Sequence, residues 1–239
     1  MTTFVLDTGE TIVDETEQWF TWAKWMDVPP FTLIATLGGL LERGRPFKEV
    51  FAVLRPGFDI DEEIERRRAA GDSVRLTRDT LHKDVFPAIS ALVGQGHAVL
   101  IAGNMTAAEQ AELRALALPV DAVLSSADLG ARSAEPRFFA GLAAQTGPGT
   151  VFVSHRLDTT GKAAARAGMP YLYLERGPIA MLRKGSRIGL DSDPVWRGLI
   201  TTLTELPDRG VTGVRERQPS LSDGALPEAG DHPLGRRER

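Results

Sequence analysis

Asp7 stands directly after the short apolar run Phe4-Val5-Leu6 and opens the segment Asp7-Thr8-Gly9-Glu10-Thr11. A carboxylate just past a strand, with Gly9 easing the turn and the Thr11 hydroxyl close by, can attack an electrophile or ligate a metal ion. Other polar residues follow apolar runs in the same way: Asn104 after 98–102 and Gly103, Ser125 after Ala122-Val123-Leu124, and His155 after Val151-Phe152-Val153 and Ser154. The four histidines, His82, His97, His155 and His232, are scattered, none in metal-ligand spacing along the chain. The chain has no cysteine, which excludes thiolate nucleophiles, iron–sulfur clusters, cysteine-type zinc sites and disulfides.

These residues need a scaffold that brings strand ends together. The apolar runs at 4–6, 98–102, 122–124, 151–153 and 171–174 are short and nearly continuous, as strands covered on both faces must be. Helical spacing appears between them, over 84–95, 106–117 and 136–145 and in the alanine-rich stretch 162–167. Alternating strands and helices predict an α/β fold with a doubly wound parallel sheet, and ligands in such sheets bind at the carboxyl ends of the strands. Asp7, Asn104, Ser125 and His155 should therefore converge on one edge.

After the first strand the alternation is interrupted. Residues 14–82 read as helical, with candidate helices at 15–26, 32–43, 47–54 and 61–70, and so predict an inserted helical cap. Trp19, Trp22, Trp25 and Met26 fall mostly on one helical face, suited to packing within the cap or to an aromatic wall against a substrate. The expected organisation is an α/β core of 1–13 and 83–206, a cap of 14–82 and a disordered tail of 207–239. The tail is rich in Pro, Gly and Ser, and its acidic and basic residues are balanced.

The 239 residues suffice for one large domain with an insertion. Lys plus Arg total 28 against 32 Asp plus Glu, a net charge of −4. That balance removes the electrostatic case for nucleic acid or an anionic membrane as partner. No apolar run approaches a membrane span, and the start lacks the pattern of a secretory signal, so a cytoplasmic protein is expected. The expected partner is a small molecule, bound between the cap and the strand ends.

Taken in order along the chain, these segments resemble the haloacid dehalogenase (HAD) superfamily from Phe4 to about Leu206. The family's first motif, a strand followed by Asp-x-Asp-Gly-Thr, is similar to Asp7-Thr8-Gly9-Glu10-Thr11. The insertion is similar to its C1-type cap. The second motif is similar to Val99-Leu100-Ile101-Ala102-Gly103-Asn104, the third to Ser133-Ala134-Glu135-Pro136-Arg137-Phe138-Phe139, and the fourth to Val151 through Thr160. The segment Ala163–Arg176 is similar to the family's helix, glycine and final strand.

The resemblance implies a hydrolase in which the first Asp is the nucleophile, and it gives meaning to the departures. Family phosphatases place an acid/base Asp where this chain has Gly9, a hydroxyl where it has Gly103, a lysine where it has Ser133, and magnesium-binding acids where it has His155 and Thr160. A glycine cannot exchange a proton, and Mg²⁺ prefers oxygen ligands to a neutral imidazole. Members acting on C–halogen or P–C bonds also lack the second Asp.

The residues carried forward as catalytic are Asp7, Thr11, Asn104 and His155. Trp19, Trp22, Gly103, Arg132 and Arg156 are expected to shape the substrate pocket. No cofactor is expected, and Mg²⁺ only with residual phosphatase chemistry, in which case Asp7 and Asp158 are the candidate ligands. Three functions fit: a repurposed member serving ligand binding or an auxiliary role, as in specialised metabolism; a metal-independent hydrolase using Asp7 on a small organic substrate; and a weak residual phosphatase. In the last, Arg132 would replace the lysine.

Overall fold

The computed structural model of the protein describes residues 1–182 and 193–209. Strands β1 (Thr3–Leu6), β2 (Ala98–Gly103), β3 (Ala122–Ser125), β4 (Thr150–Ser154), β5 (Tyr171–Leu174) and β6 (Trp196–Ile200) form one parallel sheet in the order β3-β2-β1-β4-β5-β6. The apolar runs predict the first five. The edge strand β6 escaped because it has no continuous apolar run; Trp196-Arg197-Gly198-Leu199-Ile200 is largely only partly buried. Gly198, at φ +106°, lies where the β5–β6 register shifts, a backbone irregularity that glycine tolerates.

Alternation along each strand divides the core into two layers. Phe4 and Leu6 join Val99, Ile101, Val151 and Val153 on one face, while Val5, Leu100, Ala102 and Phe152 point to the other.

The insertion consists of α1 (Thr16–Trp25), α2 (Pro30–Glu42), α3 (Glu49–Leu54) and α4 (Ile60–Ala69), close to the expected spans. Pro30 begins α2, where its missing N–H costs nothing, and the Asp59 carboxylate caps α4 by accepting from the Asp61 and Glu62 N–H groups. The cap has its own core, built on Trp22, Ala23, Leu33, Leu37, Val50 and Phe51.

The remaining helices belong to the core: α5 (Val85–Gly94), α6 (Ala107–Ala115), α7 (Pro136–Thr146), α8 (Lys162–Arg166) and α9 (Gly177–Leu182). Helix α5 packs Val85, Ile89 and Leu92 beneath β1 and β2, and Phe138, Phe139 and Leu142 of α7 cover the opposite face. Ile179 of α9 reaches into the cap core and joins the two bodies.

The chain enters and leaves the cap side by side. Val13 bridges Leu81 in antiparallel fashion, the Asp14 N–H donates to Thr80 O (2.8 Å), and the His82 N–H donates to Ile12 O (3.0 Å). Arg176, just after β5, braces this junction by donating to Thr11 O (3.0 Å) and to the Asp84 carboxylate. Asp84 also accepts from the Thr202 hydroxyl (2.7 Å) and the Leu203 N–H (2.8 Å).

A 3₁₀ turn over Leu203–Asp208 buries Leu203 and Leu206, so ordered structure runs past the expected boundary at 207. The rest of the expected tail, 210–239, lies outside the described residues. Among the described residues no helix is long and apolar enough to cross a membrane.

Phe152 is fully buried, with Phe139 edge-on at 5.0 Å and Phe138 at 6.2 Å between ring centroids. Phe152→Ala is expected to cost about 3–5 kcal/mol, because the surrounding rings cannot collapse into the cavity. Denaturant titration will show it as a lower midpoint at an unchanged slope.

Candidate active site

Parallel pairing of β1 with β4 sets Leu6 opposite Val153, so the next residues, Asp7 and Ser154, emerge side by side at the carboxyl edge. Sheet order changes direction here: β2 lies on one side of β1 and β4 on the other, the usual ligand position in an open α/β sheet. The Asp7 N–H continues the ladder to Val153 O (2.9 Å).

The Asp7 carboxylate is buried and aimed by two donors. The Thr8 N–H donates to Oδ1 (2.8 Å) and the Ser154 hydroxyl donates to Oδ2 (2.7 Å). Burial pushes its pKa up to about 6 against the opposing pull of those hydrogen bonds and of the nearby Arg156 charge. It is thus mostly ionised at neutral pH, as a nucleophile must be.

Gly103 is what lets Asp7 adopt this position. A Cβ there would lie 2.5 Å from Thr8 Oγ1 and 2.8 Å from Asp7 Oδ1. The hydroxyl-bearing residue that the family resemblance leads one to expect would collide with the present arrangement.

His155 is buried with Thr11. Its backbone N–H donates to Thr11 Oγ1 (3.3 Å), its ring is hydrogen-bonded to the Gly9 backbone, and its Nδ1 is buried without a partner. Burial, reinforced by the charge of Arg156, pulls its pKa down to about 3, so the ring is neutral over the whole physiological range. Thr160 is buried in the π-helical turn Leu157–Gly161 that follows.

Arg156 supplies the cation of the site and is paired with Asp158 in a fork, Nε to Oδ1 (2.9 Å) and Nη2 to Oδ2 (3.1 Å). Asp158 is thereby committed to Arg156. Asn104 and Ser133 hold each other through two hydrogen bonds, Asn104 Nδ2 to Ser133 Oγ (2.8 Å) and Ser133 N to Asn104 Oδ1 (3.0 Å).

Arg132 is exposed, and its backbone N–H donates to the Glu135 carboxylate (3.0 Å). Trp22 is buried in the cap core, with the Arg67 guanidinium 4.1 Å above its ring, and Trp19 packs on Phe47 and Phe51. The structure therefore brings together Asp7, Thr11, Gly103, His155 and Arg156. It sets Arg132 apart in a surface loop and keeps both tryptophans in cap packing.

Three site residues were missed by sequence reasoning: Ser154, Glu10 and Glu15. Ser154 carries the same signal as Asp7, a polar residue ending an apolar run. Glu10 occupies a left-handed backbone position, φ +48°, costly for a side-chain-bearing residue. Its carboxylate is buried, accepts from the Glu15 N–H (3.3 Å) and lies 3.7 Å from His82 Nε2. Gly177, at φ +76°, makes room for it, since a Cβ there would lie 2.6 Å from Glu10 Oε2.

Glu15, at the start of α1, reaches back over the first turn. A Cβ on Gly9 would lie 2.1 Å from Glu15 Oε1, so the carboxyl fills the space beside that glycine. Burial, then the charges of Glu10 and Asp7, raise its pKa to about 7, with Arg156 opposing and Glu109 adding to the rise.

The donor set does not suit Mg²⁺. The positions after β4 present a neutral imidazole and a threonine, Asp158 is held by Arg156, and among the described residues no group of three or more His, Asp and Glu is arranged to hold a metal ion.

No family model matches the chain, and no curated protein does. Solved structures do. HAD-hydrolase YfnB from Bacillus subtilis, bound to magnesium, aligns with a TM-score of 0.58 at 18% identity, covering 86% of this chain and 96% of that one. The L-2-haloacid dehalogenase from Xanthobacter autotrophicus, with chloropropionic acid covalently bound, aligns at 0.59 and 16% identity, covering 88% and 100%. A HAD phosphatase from Thermococcus onnurineus aligns at 0.51 and 18% identity, covering 87% and 97%. The fold is that of the HAD hydrolases. Within that fold these neighbours include both a magnesium-bound hydrolase and a dehalogenase, so side chains must decide the chemistry of this chain.

Two outcomes are expected. Gly103→Ala should destabilise the protein by about 1–3 kcal/mol, the usual cost of overpacking, read by denaturant titration. Glu15 has a folded pKa above its ordinary 4.5, so its contribution to stability is full below pH 4.5 and is lost as the pH rises through 7. Glu15→Gln should therefore gain about 1–2 kcal/mol over the wild type at pH 8, with the gain shrinking towards pH 5.

Proposed function

We propose that this protein is a HAD-superfamily member that has left Mg²⁺-dependent phosphatase chemistry and works without a metal, with Asp7 as nucleophile toward an electrophilic carbon of a small organic molecule. The observation that carries this is the Asp7 carboxylate, held by Thr8 and Ser154 beside Arg156, while the neutral His155 and Thr160 stand where metal-binding acids would be needed.

In this mechanism the two donors fix the carboxylate so that one lone pair of an aimed oxygen faces the substrate. Arg156 offers positive charge to an anionic substrate group or a departing anion, a role a lysine plays in the resembling family. His155 is a positioning residue: it ties the β4 loop to Thr11 and to the Gly9 backbone. Asp7 is buried, so a substrate that reaches its carboxylate reacts away from bulk water. A small molecule bound between cap and strand ends, in a cytoplasmic protein of this acidic composition, completes the proposal.

One observation favours a second function, ligand binding or an auxiliary role at a silent site. The polar groups around Asp7 are paired with one another, Asn104 with Ser133 and Arg156 with Asp158.

The experiment is direct. Purified protein in Mg²⁺ buffer is expected not to hydrolyse p-nitrophenyl phosphate. Mass spectrometry of the Asp7 peptide after incubation with 2-chloropropionate or chloroacetate should find an ester adduct that Asp7→Asn abolishes. Magnesium-dependent phosphatase turnover lost in Asp7→Asn would overturn the proposal.

A further inference from the structure

A nucleophilic carboxylate that forms an ester must be freed by water, and that water needs a base. Within this site the ionisable groups are few. His155 is neutral with a strongly depressed pKa and so is a poor proton acceptor at neutral pH. Asp7 is consumed by the ester, and Asp158 is held in the Arg156 fork. Glu10 accepts from the Glu15 N–H and faces His82.

Glu15 remains, and its placement is specific. At the N-terminal end of α1, its main-chain O accepts from the Trp19 N–H (3.0 Å), while its side chain turns back toward the core. The carboxyl enters the space left open by Gly9, with Oε1 2.1 Å from where any Cβ at that position would be. A side chain at position 9 and the Glu15 carboxyl would exclude one another sterically: only a glycine at 9 admits this glutamate. None of the hydrogen bonds among the described residues ends on the Glu15 carboxylate, so its oxygens are available to a water molecule or substrate. The charged groups acting on it are Asp7 and Glu10 from the first loop, Glu109 from α6 and Arg156 from the β4 loop.

We propose that Glu15 is the general base of this site, delivered from the cap to the turn at Gly9. The proposal rests on Asp7 acting as nucleophile. In the second half of the reaction the Glu15 carboxylate takes a proton from water as its oxygen attacks Cγ of the Asp7 ester. The Cγ–O bond to the substrate carbon then breaks, and the departing alkoxide takes that proton from Glu15 to leave as an alcohol. Asp7 is regenerated as a carboxylic acid carrying the water oxygen, and loses its proton to solvent. With an organic halide the sum is halide plus water giving alcohol, halide ion and a proton. A carboxyl with a pKa near neutrality is well matched to this exchange.

The test follows the Asp7 adduct in time, with 2-chloropropionate and chloroacetate as probes, in wild type and in Glu15→Gln. The expected result is a transient ester in the wild type and an ester that decays about 10²-fold or more slowly in the variant. In H₂¹⁸O, the wild-type Asp7 peptide should gain the heavy oxygen. Ester that forms and decays at the wild-type rate in Glu15→Gln overturns the role of Glu15 and leaves Asp7 as nucleophile. Absence of any ester or halide release in both proteins overturns the nucleophile itself, and Glu15 falls with it. An independent readout is ¹³C NMR of glutamate carboxyls: one resonance, missing in Glu15→Gln, should titrate near pH 7, and an ordinary midpoint near 4.5 overturns the proposal.

Discussion

A single carboxylate buried at the end of the central strand sets the terms for everything around it. Removing Asp7 from water penalises its charge, and the penalty is offset locally by the Thr8 N–H and the Ser154 hydroxyl. Both donors exist because of backbone pairing. The parallel register of β1 on β4 brings Ser154 alongside Asp7, and the tight turn after β1 presents the Thr8 N–H to it. A slip of one residue would turn Asp7 and Ser154 to opposite faces of the sheet, so the apolar contacts of Phe4, Val5, Val151 and Phe152 that hold the register also hold the site.

Charge around this carboxylate is arranged with few cations. Asp7, Glu10 and Glu15 are close to one another, while Arg156 is the basic side chain acting directly on Asp7 and Glu15. Arg176 spends itself on Thr11 O and Asp84, at the root of the cap. Burial raises the pKa of Asp7, and burial followed by the charges of Glu10 and Asp7 raises that of Glu15. The same arginine helps keep His155 neutral.

The fold was legible because it depends on period and composition. Five apolar runs, helical spacing between them and a long helical interruption are enough to state a parallel sheet with an inserted cap, and the order of segments carried the family resemblance. Edge strand β6 was missed because an edge needs burial on fewer sides and so shows a weaker pattern. In the site, Asp7 and His155 stood out by following strands, and Thr11 by a hydroxyl close to Asp7 in the chain. Glu15 did not, since its relation to Gly9 depends on how a helix start folds back over a turn, and Ser154 was passed over beside the more conspicuous His155. Arg132 shows the converse: a basic residue in the expected loop that is exposed to solvent, its backbone N–H bonded to the Glu135 carboxylate.

The stitched junction of the cap has an evolutionary reading. Because Val13 pairs with Leu81, and the segments leading into and out of the insertion are hydrogen-bonded at Asp14 and His82, the ends of the inserted segment are held adjacent by contacts that involve none of the cap helices. The loop is closed by the core, so the entropic cost of replacing it with a longer or shorter insertion grows only slowly with length. The sheet order would be untouched by such an exchange. A lineage built this way can rewrite what reaches the nucleophile from above, residue 15 included, without renegotiating the strands that hold it.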